Sequence, residues 1–371
     1  MAKVALIGAG KIGTAIADML LGSGDYSVTL FDQDAGSLAR AARPTLQTQP
    51  LKVEDPRVLA TAFRGHEIVI SAGPYHLTPQ LAGAAKEVGA HYFDLTEDIE
   101  STRAVRRLAE GASTAFVPQC GLAPGFVSIA ANALAGRFER LRDLTMRVGA
   151  LPLYPTNALG YNLTWSTEGL INEYLNPCEA IVEGRLIEVP ALEELEHLSL
   201  DGLDYEAFNT SGGLGSLCET FAGRVETLNY KTVRYPGHRD VIKLLVKDLG
   251  LGRRREVLKD VLETAIPMTL QDVVLVFVSA TGMRDGRLTQ ESDARKIYAG
   301  EIAGVTRSAI QITTAAGLCA MVDLMMAGKL PQRGFVRQEE AALADVLANR
   351  FGRVYDGEPP LLKGAAPALV A

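Results

Sequence analysis

Cysteine, histidine and tryptophan are scarce in this chain. Its 371 residues hold four cysteines, five histidines and one tryptophan, and aromatics make up only 6%. Cys120, Cys178, Cys218 and Cys319 are widely spaced, and no pair has metal-ligand spacing. A disulfide scaffold or a zinc module is therefore not expected; reduced thiols and a cytoplasmic location are, because no secretory signal precedes the first strand-like run. Long apolar runs are missing too. The longest, residues 273–278, is far too short to span a bilayer. Basic clusters are short, and the formal net charge is −7. The densest, Arg253-Arg254-Arg255, reads as a solvated helix start, so no nucleic-acid partner is expected.

What is present has the balance of a globular enzyme: 47% hydrophobic and 22% charged, with length for two domains. Residues 3–7 read as a buried strand, and Gly8-Ala9-Gly10-Lys11-Ile12-Gly13 follows at once. An apolar helical pattern continues to Leu21, and a second strand-like run ends in Asp32. Each part has a physical task in holding a dinucleotide. Gly8 permits the tight turn, Gly10 lets the backbone approach a pyrophosphate, and Gly13 lets helix and strand pack closely. The helix start, with Lys11 and Ile12, offers backbone N–H groups and partial positive charge. Asp32 stands where an acid accepts from ribose hydroxyls. An NADP 2′-phosphate beside it would put like charges ~4 Å apart, costing on the order of 4 kcal/mol at an effective dielectric near 20. No arginine lies in residues 33–39, and Arg40 and Arg43 come late. NAD is the expected cofactor.

The first 120 residues alternate strand-like runs (3–7, 27–31, 50–53, 67–71, 91–95, 114–118) with helical patterns (11–22, 35–43, 56–63, 78–88, 98–110). That order predicts an α/β fold, a Rossmann-type doubly wound parallel sheet. Ligands in such sheets bind beyond the C-terminal strand ends. The rule points to Gly8–Gly13, Asp32, Ala72 through His76, Asp94 through Glu97, and Gln119 through Pro124. After residue 122 the texture changes. A linking helix over 123–138 leads into period-two runs at 144–150, 180–183, 185–189 and 273–280. A hairpin is expected at Gly184-Arg185, a turn over 283–287 and a strand over 296–301. This predicts an α+β second domain with a largely antiparallel sheet. Residues 305–327 read as one apolar helix buried between layers or subunits. Residues 335–355 read as a final amphipathic segment, and 364–371 as a disordered tail.

Three longer motifs stand in the middle: Cys120-Gly-Leu-Ala-Pro-Gly-Phe126, Gly160-Tyr-Asn-Leu-Thr-Trp-Ser-Thr-Glu-Gly-Leu-Ile-Asn-Glu-Tyr174, and Val233-Arg-Tyr-Pro-Gly-His-Arg239. With Asp204-Tyr-Glu-Ala-Phe208 and Leu217-Cys-Glu-Thr220, they resemble the saccharopine dehydrogenase superfamily and, within it, the L-lysine 6-dehydrogenase group. The resemblance covers roughly residues 3–355. It implies nicotinamide-dependent oxidation at a carbon bearing an amine, a C-terminal segment that returns to the nucleotide domain, and a homodimer or higher homo-oligomer built on the second domain. The nucleotide domain is then residues 1–122 with about 305–371, and the substrate-binding and dimerisation domain 123–304. Saccharopine-type members carry an arginine where this chain has Glu168, and tend to carry an acid where it has Ala123. Both departures favour lysine over a multiply acidic substrate, although some lysine dehydrogenase relatives also have the arginine.

The expected reaction is NAD-dependent oxidative deamination of an amino-acid side-chain amine. L-lysine would give 2-aminoadipate 6-semialdehyde, which cyclises to piperideine-6-carboxylate, with NADH and ammonia. Arg234 is the preferred carboxylate anchor; its plainer reading is an ion pair. His238 could act as a base or orient the amine, or be a turn histidine bonded to backbone. Tyr75 and His76 follow Gly73-Pro74 and border the nicotinamide, with Ala72. Asp94, with Thr96 and Glu97 beyond it, could pair with a substrate ammonium or cap a helix. Cys120 stands where the family lines the site with a small residue; no base motif favours a redox role. Trp165 walls the pocket or anchors the core. Asp55, after the third strand, approaches adenine or caps a helix. The base stays open among His238, His76, Asp94 and Glu97. Two alternatives stand beside the lysine reading: saccharopine or carboxyalkyl-polyamine chemistry, and a non-catalytic NAD(H)-binding scaffold.

Overall fold

The computed structural model describes residues 1–53 and 56–363. Chain contacts divide it into two compact units. Unit 1 comprises Met1–Phe126, Glu301–Arg307 and the chain from Gln311; unit 2 comprises Val127–Gly300 and Ser308–Ile310. Glu54, Asp55 and the 364–371 tail lie outside the described residues.

Unit 1 begins with β1 (Ala2–Ile7), α1 (Lys11–Ser23), β2 (Tyr26–Asp32), α2 (Ala35–Ala41), β3 (Gln47–Pro50) and α3 (Pro56–Phe63). It continues with β4 (Ile68–Ser71), α4 (Thr78–Val88), β5 (His91–Asp94), α5 (Ile99–Ala109) and β6 (Ala115–Val117). These strands are parallel, in the order β6-β5-β4-β1-β2-β3. Both sheet faces are covered, which is why β1 and β4 are continuous apolar runs rather than alternating ones. Caps set the helix ends. Gly24 closes α1 in the left-handed region, and Asp34 and Asp98 accept backbone N–H bonds at the starts of α2 and α5. One strand lies earlier than its apolar pattern predicts. β3 is an exposed edge with no hydrophobic run, and Leu51 just after it turns into the core.

Unit 2 opens with α6 (Phe126–Ala135, of which Phe126 belongs to unit 1), β7 (Arg140–Pro152), α7 (Thr167–Leu175), β8 (Cys178–Val182), β9 (Arg185–Val189), β10 (Glu196–Leu200) and β11 (Leu203–Asn209). It goes on with α8 (Leu217–Thr220), β12 (Thr227–Arg234), α9 (His238–Lys243), α10 (Arg255–Ala265), β13 (Asp272–Arg284) and β14 (Arg287–Tyr298). The main strand order is β10-β11-β12-β7-β13-β14. The sheet is antiparallel except that β12 runs parallel to β7. The hairpin expected at Gly184-Arg185 turns one residue earlier, and the turn expected over 283–287 closes at Asp285-Gly286. Glu183-Gly184 and Asp285-Gly286 all have positive φ, as two-residue hairpin loops require. Of the strand expected over 296–301, residues 296–298 are the end of the long β14, whose charged, alternating residues conceal its length, and 300–301 belong to the next strand.

The chain then forms β15 (Gly300–Ile302) and β16 (Val305–Arg307), which pair as a two-stranded sheet. α11 (Ala309–Met326) follows. The helix predicted from residue 305 thus starts at Ala309, because 305–307 is strand. By length and composition α11 could cross a membrane, yet 78% of it is buried in protein. Its small residues have a reason: a Cβ on Gly317 would stand 2.7 Å from the Gly121 carbonyl oxygen. After it, β17 (Gly334–Phe335) adds to β6 in parallel, so the C-terminal segment returns to the nucleotide sheet. The amphipathic segment expected at 335–355 is broken into β17, short turns and α12 (Leu343–Ala348).

Candidate active site

In unit 1, the glycine crest has the geometry a dinucleotide needs. Gly8 has φ +109°, and a Cβ there would stand 2.6 Å from the Ala72 carbonyl oxygen. A Cβ on Gly13 would stand 1.8 Å from the Gly8 carbonyl oxygen, so α1 crosses β1 too closely for any side chain. A Cβ on Gly10 would meet nothing within 4 Å, which leaves the backbone there open to an incoming group. Gly10 also occupies the cap position of α1 and brings no side-chain cap to the helix start at Lys11, Ile12 and Gly13. Asp32 is half-buried and held by both loops. It accepts from the Ala9 N–H at 2.7 Å and the Asp34 N–H at 2.8 Å. Arg40 lies 3.6 Å from Asp34, and Arg43 pairs with Asp18, so neither late arginine pairs with Asp32. Ala72 packs on Gly8, whereas Pro74, Tyr75 and His76 are exposed after Gly73, Tyr75 and His76 meeting edge to face.

The end of β5 is a different environment. Asp94 is 1% exposed. Its Oδ1 accepts from the Thr96 and Gln119 N–H groups, both at 3.0 Å. Burial pushes its carboxyl up to about 6, against the pull of those two bonds. Asp94 thereby ties the β5 and β6 loops together and holds Gln119 at a φ of 64°. Asp98, not Asp94, caps α5, and the Thr96 hydroxyl accepts from the Asp98 N–H. Glu97 is half-buried; burial, with the Asp98 and Asp94 charges, pushes it up to about 7. Cys120 is fully buried, its thiol donating to the Val117 carbonyl at 2.9 Å. Burial pushes that thiol well up, which leaves no thiolate for redox chemistry.

Unit 2 gathers Arg234, His238, Tyr174, Tyr161 and Glu173 against the apolar cluster of Leu170, Phe208 and Ile242. Arg234, at the end of β12, is 3% exposed. Its Nη1 donates to the Val233 carbonyl at 2.9 Å and its Nε to the Tyr174 hydroxyl at 3.2 Å. Nη2 is 3.8 Å from Glu173, and the guanidinium lies 4.9 Å from the Tyr161 ring centroid. His238 opens α9 and is buried. Nε2 is 2.9 Å from the Tyr174 hydroxyl and Nδ1 is 3.0 Å from the Leu159 carbonyl. Burial and the Arg234 charge push the ring down to about 3. With both nitrogens engaged and the ring this weakly basic, the expectation of His238 as a base is corrected to the backbone-bonded reading.

Two family models together match nearly all of the chain. Residues 4–117 match the saccharopine dehydrogenase NADP binding domain, and residues 121–354 match the saccharopine dehydrogenase C-terminal domain. The chain belongs to the saccharopine dehydrogenase family. Saccharopine dehydrogenase [NADP(+), L-glutamate-forming] of Saccharomyces cerevisiae is 23% identical over 261 residues, 67% of this chain and 58% of the relative. The mitochondrial alpha-aminoadipic semialdehyde synthase of Rattus norvegicus is 22% identical over 271 residues, 68% of this chain and 28% of that protein. The chain thus spans less than two thirds of the length of either relative. The apo saccharopine dehydrogenase (L-Glu forming) structure from Saccharomyces cerevisiae superposes with a TM-score of 0.77 at 16% identity. It covers 93% of this chain and 96% of its own, and establishes the shared fold.

Within this saccharopine dehydrogenase family chain, Glu168 lies on the exposed side of the first turn of α7, 3.7 Å from Lys259. Ala123 is half-buried in the loop after β6. Trp165 is half-buried and packs against the unit 2 core. Asp55 lies outside the described residues. Sequence reasoning missed Glu173 and Tyr174 as neighbours of Arg234. Their position at the end of the Gly160–Tyr174 motif was the available signal.

Proposed function

We propose that this chain is an NAD-dependent amino-acid dehydrogenase that oxidatively deaminates the side-chain amine of L-lysine. The products are 2-aminoadipate 6-semialdehyde, NADH, ammonium and a proton, and the aldehyde cyclises with the α-amine. The observation that carries the choice of substrate is the state of the buried cations. Lys231 and Arg234 are the two buried lysine or arginine residues among those described. Lys231 is saturated, bonded to the Glu194 carbonyl at 2.6 Å and Glu196 at 2.7 Å, with Glu194 Oε2 at 3.5 Å. Arg234 keeps one edge, Nη2, beyond hydrogen-bond distance of Glu173. A single guanidinium edge, held only by an ion pair at 3.8 Å, suits one α-carboxylate, not the several of a larger acidic substrate.

NAD supplies the hydride acceptor when bound. Asp32 supports NAD over NADP by the charge argument above, although the family domain and the yeast relative carry NADP in their names. The ε-ammonium must lose a proton before its carbon can release hydride. Burial pushes Glu97 up to about 7, the range in which an efficient base works, whereas Asp94, pushed up to about 6, is bonded to two loops. Water then adds to the oxidised carbon, and ammonia leaves.

The names of the relatives favour a second reading, cleavage or formation of saccharopine, which needs a second carbonyl or amine partner. Incubation with L-lysine and NAD separates the two. The lysine reading expects NADH and ammonia in equal amounts without 2-oxoglutarate. No turnover from neutral to alkaline pH would sink it, and a strict two-substrate requirement would favour saccharopine chemistry.

A further inference from the structure

We propose that His238 is a positioning residue that orients the Nη2 edge of Arg234 through Tyr174. The inference rests on Arg234 as the carboxylate anchor. Its direction follows from one atom. The Leu159 carbonyl can only accept, so Nδ1 of His238, 3.0 Å away, carries a proton. A neutral imidazole has one N–H, so Nε2 is an acceptor. The Tyr174 hydroxyl, 2.9 Å away, therefore donates to Nε2. With its proton committed, the tyrosine oxygen offers a lone pair, and the Arg234 Nε–H donates into it from 3.2 Å.

The guanidinium plane is then fixed on two edges, Nε by Tyr174 and Nη1 by the Val233 carbonyl. Its face lies toward the Tyr161 ring. Nη2, paired only loosely with Glu173 at 3.8 Å, remains as the donor for a substrate carboxylate. The relay holds only while His238 is neutral, because a second proton would make Nε2 a donor and turn the tyrosine hydroxyl away. The surroundings enforce neutrality: the Phe208 ring stacks on the imidazole at 6.2 Å, the Tyr161 ring meets it at 5.4 Å, and the Arg234 charge is adjacent. Gly237, at φ +96°, makes the turn that brings His238 back under the end of β12.

Two substitutions separate the atoms. His238→Asn keeps a donor near the Nδ1 position and loses the Nε2 acceptor; His238→Gln restores an acceptor near Nε2. With L-lysine and NAD, His238→Asn should raise KM for the amino acid about tenfold, with kcat within a factor of about three and the pH–rate profile unshifted. His238→Gln should recover most of that loss. An unchanged KM in folded His238→Asn, or a fall in kcat with loss of an ionisation, overturns the proposal. A second measurement needs no substrate. In the full chain labelled with nitrogen-15 histidine, the resonances absent from His238→Asn should report an Nδ1-protonated ring down to about pH 5. The Nε2 resonance should move in Tyr174→Phe. An Nε2-protonated tautomer, or titration near neutrality, overturns the relay whether or not lysine is oxidised. If lysine is not oxidised but the relay spectrum is found, the substrate reading fails and the relay stands.

Discussion

The crest of unit 1 and the buried cluster of unit 2 are built by opposite means. At Gly8, Gly10 and Gly13 recognition is made of backbone, and side chains are excluded because there is no room for them or because a ligand must approach. Around Arg234 the cluster is made of side chains that hold one another: a tyrosine hydroxyl, a neutral imidazole and a loosely paired carboxylate. A backbone site tolerates almost any neighbour but no added Cβ. A side-chain site tolerates small backbone changes but depends on the proton carried by each partner. Unit 1 repeats the contrast on a smaller scale in Asp94 and Glu97, near in sequence but different in surroundings. One carboxylate is bonded to two loops, and the other is pushed up to about 7 by burial and by the neighbouring acids.

That last difference gives the largest expected effect. Glu97→Gln should cut kcat by about 10²–10⁴-fold, the usual scale for a lost general base. Because the folded-state carboxyl is raised to about 7, activity of the unmodified chain should climb as pH rises through that value. The variant should lack that limb. Retention of most of the rate, or of the limb, would show Glu97 to be a bystander. A pair of glycine changes sharpens the backbone half. Gly13→Ala meets the Gly8 carbonyl and should lose NADH binding and lower the melting temperature, overpacking of this kind costing about 1–3 kcal/mol. Gly10→Ala meets nothing and should leave melting unchanged while weakening NADH about tenfold in a fluorescence titration. Equal melting losses in both would contradict the assignment of Gly10 to the ligand.

Arg234→Lys tests the side-chain half. A lysine cannot donate from a fixed plane, so KM for the amino acid should rise about 10–100-fold while NADH affinity holds. At Asp32 the effect lies in cofactor choice more than in affinity. Asp32→Ser should weaken NAD about tenfold and admit NADP. Equal use of both cofactors by the unmodified chain would contradict the NAD assignment.

The parallel sheet of unit 1 was legible because strands buried on both faces leave continuous apolar runs. β1, β2, β4, β5 and β6 fall within a residue or so of their patterns. β3 was displaced because an exposed edge carries no such run. In unit 2, β12 and β14 bear many polar and charged residues, and α7 lies inside a motif, so periodicity did not mark them. The candidate residues were mostly visible, but their roles were not. His238 looks like a base in sequence, since an imidazole titrates near neutrality by default. Only Leu159, 79 positions earlier, and Tyr174, 64 earlier, show that both nitrogens are taken. Asp94 and Glu97 likewise differ by what packs around them, which spacing does not record.

The central claim is that hydride leaves the side-chain carbon of an amino acid. L-lysine carrying deuterium at C6, and separately at C2, offered with NAD, tests it most directly. The account predicts that deuterium from C6 appears in the reduced cofactor and that none comes from C2. Transfer from C2, or transfer from C6 only when a second carbonyl substrate is supplied, would contradict it.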